Sequence, residues 1–215
     1  MDLYFAPLAC SMATRIALYE ADADANYLYV DIHTHPHDRR LEDGSDYFTI
    51  NPMGQVPAVR TDEGELITEN PVVLQYVADR YPESGLAPQG GLARYRLQEW
   101  LNFIGTELHK GMYIPLLGHS NPEGAKDFAR QKTAARLGHV ESRLQRHEFL
   151  LDFFTVADAY LFTVLNWSQY AGVDLSPWPA LQAYYQRLLQ RPSIAKALAE
   201  EGRTYAWELK RKEAA

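Results

Sequence analysis

The chain has one cysteine, Cys10, within "YFAPLACSMATRIALYEA" over residues 4–21. It lies about four residues past a short apolar run and directly before a helical pattern. A thiol at a helix amino-terminus meets unpaired backbone N–H groups and the positive end of the helix dipole, which favours the thiolate. Ser11 adds a hydroxyl able to hydrogen-bond to a nearby sulfur. The competing reading is a small hydrophobe filling the core, the common fate of a free cysteine. With no second cysteine three residues on, a dithiol cycling its own disulfide is disfavoured.

Three further stretches carry chemistry. In "NPMGQVPAV" (51–59) the Val56-Pro57 pair precedes a strand. A cis bond there would turn the Val56 backbone N–H and C=O outward to meet an extended peptide; a trans proline would only punctuate the loop. In "ITENP" (67–71) Glu69 sits beside a helix start, with Asn70 suited to the N-cap and Pro71 to the first helical position. A helix amino-terminus favours a carboxylate and an acidic side chain favours an amine, so the pair suits an α-amino acid end; a plain cap with a solvated Glu is the alternative. In "EWLNFIGTELHKGMY" (99–113), with Leu97 just before it, Leu97, Leu101, Ile104 and Leu108 form an apolar face. Glu99, Asn102, Thr106, His109 and Tyr113 form a polar one, either a row of donors around a histidine or, as most such stripes are, a plain solvated face. "HTHPHDRR" (33–40) spaces His33, His35 and His37 alternately, but the proline among them and the lack of a nearby cysteine make it a polar loop rather than a metal site.

These residues need elements to hold them. "LYFA" (3–6) and "YLYVDI" (27–32) read as strands, and the stretch between them has helical spacing with Met12, Ile16 and Tyr19 on one face. Strand, helix, strand implies a right-handed crossover and a parallel pair. "VPAVRT" (56–61) and "ELITE" (65–69) form a hairpin with Gly64 in its turn, followed by a helix over "VVLQYVADRY". "PESGLAPQGG" (82–91) marks a boundary. Beyond it only helical patterns occur, over about 92–113, 123–147, 155–171, 179–190 and 192–201. Thr155 and Asp158 in "TVAD" form a capping box, and the polar "ELKRKEAA" is expected to fray.

The 215 residues suffice for one large domain or two small ones, and a net charge of −7 carries no nucleic-acid footprint. The amino-terminus lacks the pattern of a signal peptide. The richest apolar run, 149–165, is interrupted by Asp152 and Asp158 and is too short for a membrane span. A lone cysteine fits a reducing compartment, and the expected location is the cytoplasm.

The sequence resembles bacterial beta-class glutathione S-transferases over almost its whole length. The likeness is carried by "APLACSMATRIAL", "LEDGSDYFTINPMGQVPA", "TENPVVLQYVADRYP", "EWLNFIGTELHKG" and "FTVADAYLFTVLNW"; "NPMGQVPA" together with "TELHKG" is its most specific part. It implies an α/β thioredoxin-like N-terminal domain at 1–81 that binds glutathione, a linker at 82–91 and an all-α C-terminal helical domain at 92–215. It also implies a homodimer, with a second-substrate pocket between domains and neither metal, nucleic acid nor membrane as partner.

By this resemblance Cys10 lies beside the glutathione sulfur and can form a mixed disulfide with it, and Arg39 lies near the glycine carboxylate. Val56, flanked by Gln55 and a cis Pro57, pairs with the cysteinyl backbone, and Glu69 and Asn70 hold the γ-glutamyl end. Asn102, Thr106, His109 and Lys110 occupy the family's interdomain helix positions, with Asn102 and His109 near the thiol. Two departures stand out: Leu8 replaces a common glycine, and Asn70 replaces a small residue after the glutamate.

The implied chemistry is conjugation of the glutathione thiolate to electrophilic, apolar small molecules. A free cysteine thiol has a pKa of about 8.5, and Cys10, Ser11 and His109 are the expected catalytic group, His109 as a possible acid or base. The alternatives are a glutathione-dependent thiol transferase or reductase working through a Cys10 mixed disulfide, and a non-catalytic binding module on the same fold.

Overall fold

The computed structural model describes residues 1–35, 38–118 and 120–214. His37 of the alternating histidines lies outside them. The chain divides into two compact units: Met1–Ser84 with Pro192–Ala215, and Gly85–Arg191.

The first unit is a sheet in the order β3-β2-β1-β4-β5. Its strands are β1 (Asp2–Phe5), β2 (Asn26–His35), β3 (Asp38–Leu41), β4 (Ala58–Arg60) and β5 (Leu66–Thr68). β1 and β2 run parallel across α1 (Met12–Glu20), and β4 and β5 form the expected hairpin, with Gly64 at φ +89° in the turn. The stretch 33–40, expected as a loop, instead extends β2 to His35 and supplies β3, which pairs antiparallel with it. Alternation along β1 sends Tyr4 and Ala6 into a cluster with Val30, Tyr47, Val56 and Ala58. Leu3 and Phe5 take the other face, where the Arg15 guanidinium of α1 lies 4.3 Å from the Phe5 ring centroid.

α2 (Asn70–Arg80) follows β5, and its N-cap is Glu69 rather than Asn70. The cap is displaced by one residue because Glu69 takes the backbone turn itself, at φ +67°, and its carbonyl accepts from the Val72 and Val73 N–H groups. The sequence reading placed 92–215 in the helical domain and expected the C-terminus to fray. In the structure α9 (Pro192–Ala214) is one continuous helix grouped with the first unit, where it packs on α1. The reason is a buried charge pair. Arg15 Nε donates to Glu201 at 2.9 Å and its Nη1 donates to Glu200 at 3.1 Å, with Glu201 fully buried.

The second unit holds α3 (Gly91–Phe103), α4 (Ile114–Leu117), α5 (Glu123–Leu144), α6 (Val156–Asn166), α7 (Ser168–Ala171) and α8 (Pro179–Leu189). Residues Ile104–Tyr113, expected as α-helix, form a π-helical stretch between α3 and α4. Every residue of α6 is buried, as suits a helix apolar on all sides. Among the described residues no helix is long and apolar enough to cross a membrane. The capping box forms as expected: Asp158 Oδ2 accepts from the Thr155 N–H at 2.9 Å and the Thr155 hydroxyl at 3.0 Å. Its Oδ1 also accepts from the Leu150 N–H and the Tyr184 hydroxyl.

Asp158→Ala leaves those buried donors without an acceptor. With about 1–3 kcal/mol for each unmet group, only partly additive, we expect about 3–5 kcal/mol of lost stability in urea unfolding. Leu8 occupies the left-handed region at φ +58°, where an L side chain costs about 1–2 kcal/mol. Leu8→Gly removes that strain, and the unfolding midpoint should rise by an amount worth about 1 kcal/mol.

Candidate functional site

The candidate site in the first unit is built where β1 and β5 hand over to helices. After β1 the chain turns tightly, the Ala9 N–H donating to the Ala6 carbonyl at 3.2 Å. This turn carries Cys10 to the start of α1, half-buried, where its Sγ donates to the Val56 carbonyl at 3.0 Å. A thiolate has no hydrogen to give, so this contact belongs to the protonated thiol. The turn is anchored twice. The Leu8 N–H donates to Glu201 Oε2 at 2.7 Å, and the Ser11 hydroxyl donates to the Ala6 carbonyl at 3.2 Å while accepting from the Ala6 N–H.

Ser11 was expected to serve a sulfur. Its side chain is fully buried and both hydrogen-bonding capacities go to Ala6, so it shapes the turn instead. Neither does it cap α1 through its side chain.

Val56 and Pro57 are joined by a cis peptide bond and are buried. The loop before them is fixed by residues that the sequence reading did not single out. The Tyr47 hydroxyl and Asn51 Nδ2 both donate to the Gln55 carbonyl, at 2.9 and 2.8 Å. Asn51 Oδ1 accepts from the Met53 N–H, an Asx turn inside "NPMGQVP" that was the available signal. The Gln55 side chain is itself exposed. Gly54, at φ +61°, lies so close to Phe48 and Arg39 that an added Cβ would stand 2.6 and 2.8 Å from them. Arg39, in β3, thus packs its side chain over this loop, and burial lowers its pKa.

At the start of α2, Glu69 is exposed while Asn70 is 5% exposed. Asn70 Oδ1 accepts from the Thr14 hydroxyl of α1 at 3.3 Å, tying the two helix starts together. Its Nδ2 is buried with no hydrogen-bond partner among the described residues. A buried amide hydrogen pair left unmet beside two helix amino-termini is suited to a carboxylate.

The second unit carries the other expected residues, and the polar face read over 99–113 does not form. Hydrogen bonding from i to i+5 widens the turn, so residues four and five apart fall in line. Ile104, Leu108, His109, Met112 and Tyr113 are buried together, while Asn102, Thr106 and Lys110 are exposed. Asn102 Nδ2 donates to the Gln98 carbonyl at 2.8 Å and the Thr106 hydroxyl to the Asn102 carbonyl at 3.0 Å, both back onto their own helix. His109 Nδ1 pairs with the Tyr160 hydroxyl at 2.6 Å, and its ring meets Trp167 edge to face. Burial, with the Lys110 charge adding to it, lowers the His109 pKa to about 3. The ring is therefore neutral near neutrality. Among the described residues no three His, Cys, Asp or Glu gather to hold a metal.

Comparison with known proteins fits this arrangement. Residues 1–79 match the model of the glutathione S-transferase N-terminal domain and residues 103–192 that of the C-terminal domain. The chain is 41% identical to glutathione S-transferase GstA of Escherichia coli O157:H7 over 94% of this chain and 99% of that one. A sphingomonad glutathione S-transferase solved in complex with glutathione superposes with a TM-score of 0.87 at 42% identity, covering 94% of this chain and 99% of that one. The bacterial beta-class enzyme of Sphingomonas chungbukensis gives the same TM-score, identity and coverage. With both domain models matched in order and this level of identity across nearly the full length, the chain belongs to the glutathione S-transferase family, in its bacterial beta class.

Proposed function

We propose that the first unit binds glutathione and presents its thiolate to an electrophilic, apolar small molecule, forming a carbon–sulfur bond and releasing the leaving group. The observation that carries this reading is the buried Asn70 Nδ2, fixed through Thr14 and still without a partner, at a helix start where Glu69 is exposed. An Asn donor for the α-carboxylate and a Glu acceptor for the ammonium read the two charges of a γ-glutamyl end. In this reading the Val56 carbonyl, which accepts from Cys10, also takes the cysteinyl N–H, and Arg39 and Gln55 meet the glycine end.

Cys10 supports a second activity at the same place. Its sulfur already lies 3.0 Å from the carbonyl proposed to hold the cysteinyl backbone. Its thiolate can attack the disulfide of oxidised glutathione, forming a Cys10–glutathione disulfide and releasing one glutathione thiolate. Conjugation does not require that step. The resemblance also gives Asn102, Thr106, His109 and Lys110 a share in thiol binding. Of these, His109 would act through Nε2, since Nδ1 is taken by the Tyr160 hydroxyl. The exposed apolar Val72, Leu92, Tyr95 and Phe128 are consistent with a homodimer, and a cytoplasmic setting suits a chain with a single cysteine.

Titration with reduced glutathione in a calorimeter should show saturable binding at about one site per chain, Asn70→Leu weakening it about tenfold or more through the lost charge-assisted bond. Absence of binding at millimolar ligand would remove the reading. Cys10→Ala should abolish reduction of a small disulfide yet retain part of the conjugation of an aryl halide; equal loss of both would make Cys10 essential to conjugation too.

His109 gives a separate prediction. The folded chain keeps it neutral to about pH 3 whereas the unfolded chain takes up a proton near 6.5. Stability is therefore whole above pH 6.5 and falls below it, by about 1.4 kcal/mol per pH unit from this group. Urea unfolding of His109→Phe between pH 6 and 4 should lose that component, and its turnover should fall while glutathione affinity changes little.

A further inference from the structure

The peptide group between Gln55 and Val56 is clamped on one side. Tyr47, which opens a short helical turn (Tyr47–Thr49), and Asn51 just after it both donate to the Gln55 carbonyl, at 2.9 and 2.8 Å. Two donors fill the two acceptor positions of that oxygen. Both side chains are buried, Tyr47 completely. Burial pushes the Tyr47 hydroxyl pKa up, so the group stays protonated and remains a donor. Asn51 is fixed at its other end too, its Oδ1 accepting from the Met53 N–H at 3.1 Å.

The opposite side of the same peptide is unmet. The cis bond lies one residue later, at Val56-Pro57, and the Gln55–Val56 bond is trans, so its N–H points away from its carbonyl. With the carbonyl drawn onto Tyr47 and Asn51, the Val56 N–H faces the other way. It gives no hydrogen bond among the described residues, although Val56 is only 7% exposed. Backbone N–H groups in such places are nearly always paired, so this one calls for an acceptor that a ligand brings. The Val56 carbonyl differs, since it already accepts from Cys10 at 3.0 Å.

We propose that Tyr47, with Asn51 beside it, is a positioning residue for the bound thiol: by holding the Gln55 carbonyl it aims the Val56 N–H at the carbonyl of the ligand's cysteinyl residue. The inference rests on the reading of this site as one for glutathione. Tyr47 acts through the Val56 peptide and not on the ligand itself. A peptide plane fixed beforehand loses no freedom when the ligand arrives. Loosening it therefore weakens capture of glutathione and leaves the chemistry at sulfur alone.

The test uses the whole chain with isotope-labelled valine, followed by NMR with and without saturating reduced glutathione. Exchange of the Val56 amide should slow about tenfold or more on saturation, as the N–H gains its acceptor. Tyr47→Phe keeps the ring in place and leaves Asn51 on the carbonyl, so the fold is retained. It should raise the KM for glutathione about fivefold, the loss of one hydrogen bond, with kcat and the KM for chlorodinitrobenzene within about twofold. Protection of the Val56 amide should fall with it. Tyr4→Phe is the control, because its ring lies 5.7 Å from that of Tyr47 while its hydroxyl meets Arg60 instead. It should leave both KM values within about twofold. No saturation with glutathione would remove the reading of the site and this inference with it. Saturation with Val56 exchange unchanged would overturn the inference alone. So would an unchanged glutathione KM in Tyr47→Phe, an equal rise in both KM values, or an equal effect of Tyr4→Phe.

Discussion

The first unit is organised around one buried charge pair, Arg15 with Glu201. Both side chains are withdrawn from water, which is costly unless each polar atom is met. Here Arg15 donates to Glu201, Glu200 and the Tyr19 hydroxyl and lies over the Phe5 and Tyr27 rings. Glu201 spends its second oxygen on the Leu8 N–H. Burial raises the Glu201 pKa to about 7 against the pull of Arg15, so this is a closely balanced carboxylate. Its placement matters more than its net energy. Through Leu8 it fixes the left-handed turn that delivers Cys10, and through Arg15 it fixes α1.

Around that pair, polar atoms in the candidate site are assigned to shape before chemistry. Ser11 serves Ala6, Thr14 serves Asn70, and Tyr47 and Asn51 share the Gln55 carbonyl. What is left uncommitted is a short set: a half-buried thiol on a carbonyl, an exposed carboxylate, and one buried, unmet side-chain amide. A site of this kind recognises a peptide-like ligand by its backbone and its charged ends, since the donors and acceptors were fixed before the ligand arrived.

The parts of this arrangement legible in the sequence are those written over a few neighbouring residues. The Thr155–Asp158 cap, the Gly64 turn and the position of Cys10 before a helix follow from local spacing, and all three are present. The strand after the Asp31–His35 register shift was hidden by its polar composition, because β3 is held by pairing with β2 rather than by an apolar face. The stripe over 99–113 misled because α and π periods diverge only gradually, and the divergence moved His109 from a presumed donor row into the core. Glu201 could not be read at all. A glutamate on a polar-looking helix declares nothing about an arginine 186 residues earlier, and only the fold brings them together.

That separation has a consequence for how the protein is made. Chains emerge from the ribosome amino-terminus first, and domains generally fold in that order. The sheet, α1 and α2 are all synthesised by Arg80, and the second unit by Arg191, before α9 exists. Until Glu201 leaves the exit tunnel, Arg15 has no carboxylate from α9 and the Leu8 amide no acceptor there. The nascent chain thus carries its thiol-bearing turn in an unfinished form until α9 is made, and that helix is the one that sets it.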